Sequence, residues 1–481
     1  MILKDYIPNT NKKISEVYFS GIAFDSSKVK KDNIFFAIKG NKFDGNDFIE
    51  NAIKKGAKVI ISEKKFIKKE KKIIFLHSSN IRKLLAETSY KILSKKPKKL
   101  VAVTGTNGKS SIADFYFQIL KFSSKKVASI GTIGLRYNDK KKTLVNTTSD
   151  PIQLSSILSG LKKRKIEFVI MEASSHGLKQ NRLDGLTFDI GIFSNLSHDH
   201  LDYHKSIKDY LNSKLYLFNK LIKKRGTIIT DASIPQAKQL KNISIKTKTN
   251  LSLIYNEKKG IKLISHQFKN EKQILEIKYK NRKYIIKLNL IGRIQINNIL
   301  MAILAANKSG IEFKKILNIV SKIEPVEGRL EKIGKIKNNS KVILDYAHTP
   351  DALKLALLNL KEQFPFSKIN LVFGCGGDRD FKKRPIMGRI ADKYSDKIYL
   401  TDDNPRYEEP LKIRKESKKV INKNKVQEIS NRKQALQEAI KNLETGDILL
   451  VAGKGHEKIQ DYGKKKLFFS DKNEILNSIK I

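Results

Sequence analysis

The sequence predicts an α/β protein of three domains, and three observations carry that expectation. The first is the stretch around residue 105. Leu100 to Val103 form a short apolar run, and Thr104 to Gly108 form a tight turn that holds two glycines. Beyond it Ile112, Phe115, Tyr116, Ile119 and Leu120 recur at i, i+3, i+4, i+7 and i+8, one apolar stripe of a helix. The second is the last third of the chain, where apolar runs of strand length alternate with helical stretches, the pattern of a parallel sheet covered on both faces. The third is length: 481 residues, at about 150 per domain, make roughly three domains, each able to bury its own core.

Taken in order, residues 1–96 form the first unit. Phe24 to Val29 lead into a strand at Ile34–Ile38, a turn at Lys39–Gly45, a helix holding Phe48, Ile49 and Ala52, and a strand at Val59–Ile61. Lys91 to Lys99, with Pro97, reads as a linker. The second unit, 97–327, starts with the strand–turn–helix at residue 100. Its runs Phe168–Met171 and Phe188–Phe193 have the composition of buried strands. They end in Glu172 and in Ser194-Asn195, and the carboxyl ends of strands are where open α/β sheets build their sites. From about 245 to 290 the pattern alternates, which predicts an antiparallel hairpin appended to the sheet. The helix Asn298–Ala306 follows. In the third unit, 328–481, strands are expected at Val342–Asp345, Ile369–Phe373, Ile398–Leu400 and Ile448–Ala452, each ending in a polar or glycine-rich turn.

Composition narrows the function. No apolar run reaches the 18 or so residues of a membrane helix, and the amino terminus carries an acid early, so no secretory leader is expected. A single cysteine, Cys375, allows no internal disulfide and fits a reducing, cytoplasmic setting. Lys and Arg number 97 against 48 Asp and Glu, a net charge of +49. The lysines are spread along the chain in short runs rather than gathered in one block. The expectation is therefore a compositional bias, with no nucleic-acid and no membrane partner, and a diffuse field that draws in anionic substrates.

The turn at 105–110 has the chemistry of a phosphate cradle. Backbone N–H groups of the turn and of the helix start face an anion, Lys109 can reach β/γ-phosphates, and the Ser110 hydroxyl can hold Mg²⁺. Position 103 is valine where the common phosphate-loop pattern has glycine. Glu172, at a strand end, could share a metal with Ser110. Six of the eight histidines lie in polar turns: His176, His198, His200, His204, His348 and His456. Imidazole and carboxylate suit magnesium, manganese or a structural role, and zinc is not excluded by residue type. In the third unit Gly376-Gly377 let backbone approach a ligand closely, and Arg379 and Arg406 are planar forks suited to carboxylates.

Together these stretches resemble the Mur ligase family, and within it the UDP-N-acetylmuramoyl-tripeptide synthetases. The resemblance runs over essentially the whole chain. It rests on Gly105-Thr-Asn-Gly-Lys-Ser-Ser111, Asn146-Thr-Thr148, Glu172-Ala-Ser-Ser-His-Gly-Leu178, Asn195-Leu-Ser-His-Asp-His-Leu-Asp-Tyr-His204, Asp345-Tyr-Ala-His-Thr-Pro350, Gly376-Gly-Asp-Arg-Asp380 and Asp403-Asn-Pro-Arg406. It implies an N-terminal UDP-binding domain, a central P-loop ATPase-type parallel sheet with appended antiparallel strands, and a C-terminal Rossmann-like domain that brings the amino acid. It assigns Phe24, Ser26, Asn41, Lys42 and Phe43 to the UDP-sugar, and Asn146, Thr147, Thr148, Ser174, Gln180 and Arg182 to the muramoyl peptide. ATP would meet Gly105, Thr106, Asn107, Gly108, Lys109, Ser110, Ser111, Asn298 and Arg329. Lys109, Glu172, His200 and Lys214 would be catalytic, and Mg²⁺ would be held by Ser110, Glu172, His200 and Lys214, the last as a carbamate.

Diaminopimelate would meet Arg379, Asp403, Asn404, Pro405, Arg406, Gly453 and Glu457. Two departures are Ser27, where the family usually has arginine, and Ile294-Gln295, where Phe-Asn is common. The implied reaction is ATP-dependent addition of meso-diaminopimelate to the D-glutamate of UDP-N-acetylmuramoyl-L-alanyl-D-glutamate through an acyl phosphate, by a monomer. A folylpolyglutamate synthase is the nearest alternative, although those carry glycine after the loop lysine where this chain has Ser110. A basic nucleic-acid-binding NTPase is the alternative of another class.

Overall fold

The computed structural model describes residues 1–8, 10–40, 43–65, 72–92, 95–197, 199–200, 203–269, 271–334, 336 and 338–479. Three sheets follow one another along the chain. The first holds β1 (Gly21–Ala23), β2 (Asn33–Phe36), β3 (Ala57–Ser62) and β4 (Ile74–His77), in that order and all parallel. Ile34, Phe36, Val59 and Ile61 face one way, into a core with Leu3, Phe19 and Leu85. Phe35 and Ile60 face the other way, a consequence of the two-residue repeat of a strand.

The central sheet has eleven strands: β5 (Lys99–Thr104), β6 (Val127–Gly131), β7 (Gly134–Tyr137), β8 (Lys140–Lys142), β9 (Phe168–Glu172), β10 (Phe188–Phe193), β11 (Ile222–Asp231), β12 (Asn250–Ile254), β13 (Gly260–Lys269), β14 (Lys272–Tyr279) and β15 (Arg282–Leu288). Their order is β15-β14-β13-β12-β11-β10-β5-β9-β6-β7-β8. The middle of it, from β12 to β6, is parallel. The appended part is larger than the expected hairpin: β13, β14 and β15 form a three-stranded antiparallel meander, because the run at 260–269 alternates as the next two do. The spacing predicts one apolar stripe on the helix Lys109–Phe122, yet every residue from Ser110 to Leu120 is buried. It packs on the sheet beside the helix Ile294–Lys308, which lies on the same face and is buried over most of its length as well. The helices Pro151–Lys163 and Ala237–Lys246 cover the opposite face.

The third sheet holds β16 (Glu331–Ile333), β17 (Lys341–Asp345), β18 (Ile369–Phe373), β19 (Lys397–Leu400), β20 (Val426–Glu428) and β21 (Ile448–Ala452), in the order β16-β17-β21-β18-β19-β20. All its neighbours are parallel except β16 with β17. A small hairpin, β22 (Ile459–Tyr462) with β23 (Lys465–Phe468), follows β21. Among the described residues no helix is long and apolar enough to cross a membrane.

Candidate active site

The turn after β5 depends on glycine at two places. Gly105 has φ +147° and Gly108 φ +85°. A Cβ at Gly105 would lie 1.9 Å from Ser194 Oγ, and one at Gly108 would lie 2.4 Å from Asn298 Oδ1. Both positions combine a backbone conformation that L side chains avoid with no room for one. The carboxyl end of β10 clamps the turn from the side. Asn195 accepts the Asn107 N–H at 2.9 Å and donates to the Asn107 carbonyl at 3.2 Å, while Ser194 Oγ donates to that carbonyl at 2.6 Å. Thr106 accepts from the Ser197 N–H and from the Tyr210 hydroxyl. Sequence reading singled out neither Ser194 nor Tyr210 as a support of the loop; the polar end of a buried strand was the signal for Ser194, and Tyr210 had none.

Two lysines converge on one carbonyl. Lys109 Nζ donates to the Gly105 and Thr106 carbonyls at 2.9 and 2.7 Å, and Lys214 Nζ donates to the Gly105 carbonyl at 2.8 Å. Lys214 is 1% exposed and sits 4.1 Å from the centre of the Tyr210 ring. Burial, and then the neighbouring Lys109 charge, hold its amine well below the usual lysine range. Burial lowers Lys109 too. A neutral amine is the nucleophilic form of lysine, so Lys214 has the chemistry that carbamate formation needs.

Glu172 is 2% exposed, and its carboxylate accepts from the Thr132 N–H at 2.8 Å and the Thr132 hydroxyl at 3.2 Å. A cavity of about 260 Å³ is lined by Thr106 to Ser111, Glu172, Asp199, His200, Lys214, Asn298 and, from beyond the central sheet, Arg329, Asp345, Tyr346 and His348. All the expected ATP and metal residues thus border one space except Gly105, which lies just behind it. His198, Asn41 and Lys42 lie outside the described residues. Among the described residues no three His, Cys, Asp or Glu come together as an all-protein metal cage. Mg²⁺ asks for less: one or two carboxylates, waters and the phosphates of a nucleotide. The oxygen donors of Ser110 and Glu172 beside the phosphate loop fit that ion.

Beside Glu172 the expected peptide residues make one hydrogen-bonded group. Thr148 Oγ1 donates to the Glu172 carbonyl and lies 3.0 Å from Ser174 Oγ. Arg182 donates to the Thr148 carbonyl at 2.5 Å and to Gln180 Oε1 at 2.8 and 3.1 Å. Thr147 pairs with Thr132, and Asn146 is exposed beside them. In the first unit Phe24, just after β1, and Phe43, in the segment after β2, are exposed, at 37% and 71%, and Ser26 opens a short turn after Asp25.

In the third unit the Gly-Gly-Asp-Arg and Asp-Asn-Pro-Arg turns lie against each other. A Cβ at Gly377 would come within 1.9 Å of the Pro405 carbonyl. Arg406, at φ +55°, donates from Nη1 to the Gly377 carbonyl at 2.6 Å, so part of its fork ties the two turns together. Arg379 is exposed. Asn404 donates to Glu457 at 3.0 Å, and the fully buried Lys454 donates to both Asn404 (3.0 Å) and Glu457 (3.3 Å). Gly453, at φ +114°, leaves room for Asp403 Oδ2, a buried atom with no hydrogen-bond partner among the described residues. Tyr346 joins the two regions: its ring lies under Arg329 at 4.4 Å and its hydroxyl donates to Glu457 at 3.2 Å.

The three most deeply buried cations here bear no mark in the sequence. Arg384, 1% exposed, bonds Glu408, Glu416 and the Gly376 carbonyl. Arg432 pairs with Asp471, both fully buried. Lys454 carries none although it stands between two glycines at a strand end.

Comparison with known proteins agrees over almost the full length. Residues 103–306 match the Mur ligase middle domain, 328–455 the Mur ligase glutamate ligase domain, and 18–93 the Mur ligase family catalytic domain. The chain is 40% identical over 480 residues to the UDP-N-acetylmuramoyl-L-alanyl-D-glutamate--2,6-diaminopimelate ligase of Rickettsia conorii, covering 96% of each, and 39% identical to the enzyme of that name from Wigglesworthia glossinidia brevipalpis, covering 98% of each. A solved structure with the same enzyme name superposes with a TM-score of 0.73 at 28% identity, over 100% of this chain and 99% of that one. A folylpolyglutamate synthase from Mycobacterium tuberculosis matches 77% of this chain and 92% of its own, with a TM-score of 0.65 at 14% identity, a likeness of fold alone.

Proposed function

This chain belongs to the Mur ligase family, and on that premise we infer that it is the ATP-dependent ligase that adds meso-diaminopimelate to UDP-N-acetylmuramoyl-L-alanyl-D-glutamate in peptidoglycan precursor synthesis. The observation that carries the reading is the single cavity in which the phosphate loop, Glu172 and Lys214 meet Arg329, Asp345 and Tyr346. A ligase must bring an activated carboxyl and an incoming amine together where water is excluded, since an acyl phosphate hydrolyses. The γ-carboxylate of the substrate's D-glutamate attacks the γ-phosphorus of ATP and ADP leaves. The amine of diaminopimelate then attacks the acyl carbon and phosphate leaves, forming the amide. Lys109 and the backbone N–H groups of the loop answer the charge of the transferring group.

Residues 1–96 are assigned to the UDP-substrate, 97–327 to ATP and 328–481 to the amino acid, in a cytoplasmic monomer. Ser110, Glu172, His200 and Lys214 as a carbamate are the residues that would hold Mg²⁺, which would supply charge neutralisation on the phosphates. Thr147, Thr148, Ser174, Gln180 and Arg182, with Asn146, are assigned to the muramoyl peptide, and Phe24, Ser26, Asn41, Lys42 and Phe43 to the UDP-sugar. Arg379 and Arg406 are assigned to the carboxylates of diaminopimelate, with Asp403, Asn404, Gly453 and Glu457 around its ammonium groups. Intact-mass measurement tests the carbamate: wild-type protein in bicarbonate should carry one added CO₂ that Lys214→Ala lacks. Short-chain carboxylates should partly restore turnover to that variant. A wild-type mass without CO₂ together with full activity would remove Lys214 from the assignment.

A further inference from the structure

Fifteen of the lysines that lie scattered in the sequence come together along one edge of the central sheet. Strands β5, β6, β9, β10, β11 and β12 run parallel, so the turns that feed their amino ends share the edge opposite the phosphate loop. Four helices, 109–122, 151–163, 237–246 and 294–308, run back from the other edge and end there. Direct contacts join these turns. The Lys99 N–H donates to the Glu167 carbonyl, the Glu167 N–H to the Lys126 carbonyl, and the Arg225 N–H to the Lys248 carbonyl, each at 2.9–3.0 Å. Lys99 Nζ reaches the Lys308 carbonyl at 3.3 Å.

The edge comprises segments 95–99, 121–126, 162–168, 185–189, 222–226 and 246–250 with Lys308, and it holds seventeen Lys and Arg against two acids, Glu167 and Asp189. Asp189 is paired with Lys223, and Lys121 with Asp139 of a neighbouring turn. The whole chain has 97 basic residues to 48 acidic, a ratio near two. A compositional bias toward lysine explains that ratio but not the scarcity of acids on this edge. Basic side chains suit helix carboxyl ends, yet here the turns that precede the strands carry them too.

Six strands at about 4.8 Å span roughly 25 Å, a front broad enough to meet many charged groups at once. Fifteen of the seventeen are lysines, strongly hydrated point charges rather than the forks that read bases. Exposed apolar side chains on this edge are Phe122 (45%) and Ile245 (68%), each in the last turn of a helix. One aromatic offers no stacking platform for a nucleic acid. Dispersed lysines with apolar side chains between them are instead the composition of a surface that rests on anionic headgroups. We propose that this amino-end edge of the central sheet docks on an anionic lipid bilayer, leaving the phosphate loop on the opposite edge open to solution. Reading along the chain gives no basic cluster and no membrane partner; the parallel sheet assembles the cluster from five separate turns and the end of the helix Ile294–Lys308.

Cosedimentation of the full-length protein with vesicles tests this. Binding is expected to phosphatidylglycerol-containing vesicles and not to pure phosphatidylcholine, and it should weaken with salt. Replacing Lys125, Lys126, Lys163 and Lys224, all exposed, by Glu should lower the partition coefficient at least about tenfold. The same charge change at Lys361, Lys415, Lys419 and Lys423, exposed in the third domain, should lower it less than about threefold. ATP turnover should stay unchanged in both variants, which shows that each is folded. Equal losses in the two variants, or no binding to anionic vesicles, would overturn the proposal. So would a preference for duplex DNA or RNA over vesicles that the first variant loses, which would give the edge to nucleic acid.

Discussion

The loop Gly105–Ser110 and the turn Asp403–Arg406 both end a parallel strand at the carboxyl edge of a sheet, and they are held in different ways. The first is shaped by its own glycines and pinned by backbone and short side chains of Ser194–Ser197, one strand away. The second is held by long side chains from distant segments: Lys454 and Glu457 on Asn404, Arg384 on Glu408, and Arg414 on Asp402. A loop built from contiguous residues presents backbone donors to phosphate, the same group in every ATP-using relative. A turn held by exchangeable ion pairs can be retuned for one amino acid without disturbing the sheet.

The contrast can be broken at its strongest point first. Lys109→Ala should end ligation, a fall of more than about 10³ in turnover, with an unchanged thermal midpoint, because the lysine answers phosphate charge rather than packing. Steady-state turnover and calorimetry on the same sample check both halves. Arg406→Ala should cost about 2 kcal/mol or more of diaminopimelate binding, roughly 30-fold in its KM, with the KM for ATP unmoved. Equal loss for both substrates would show that Arg406 acts through the fold.

Arg384→Ala sharpens the comparison. The arginine is buried, while its partners Glu408 and Glu416 are about 30% exposed, so the loss should be near 2 kcal/mol rather than that of a fully buried pair. Chemical denaturation should report it, and the KM for diaminopimelate should rise several-fold while ATP binding stays as it was. A further effect concerns acid. Burial, then the Arg329 charge, push His456 down from 6.5 to about 4. The unfolded chain therefore takes up a proton that the folded one refuses, and stability falls as pH drops from about 6.5 toward 4. His456→Gln should flatten the stability–pH curve across that window.

Legibility in the sequence followed the same division. The phosphate loop, the strands that end in Glu172 and in Ser194-Asn195, and the alternation of the last third were readable because each is a local run with its own period. The short strands β16 and β20 and the hairpin β22–β23 were not, since three or four residues give no period to count. Arg432 and Asp471, 39 residues apart, bear no local mark of their pairing, and among so many lysines Lys454 looked like any other. The basic edge was hidden for a further reason: its lysines and arginines come from five turns and one helix end that only a parallel sheet sets side by side.

The central claim is tested most directly by amino-acid-dependent ADP release from ATP with UDP-N-acetylmuramoyl-L-alanyl-D-glutamate. Sustained turnover is expected with meso-diaminopimelate, and at least about 30-fold less efficient use of L-lysine, which lacks the distal carboxylate that Arg406 is assigned to pair. Equal kcat/KM for the two amino acids, or turnover that needs neither, would contradict it.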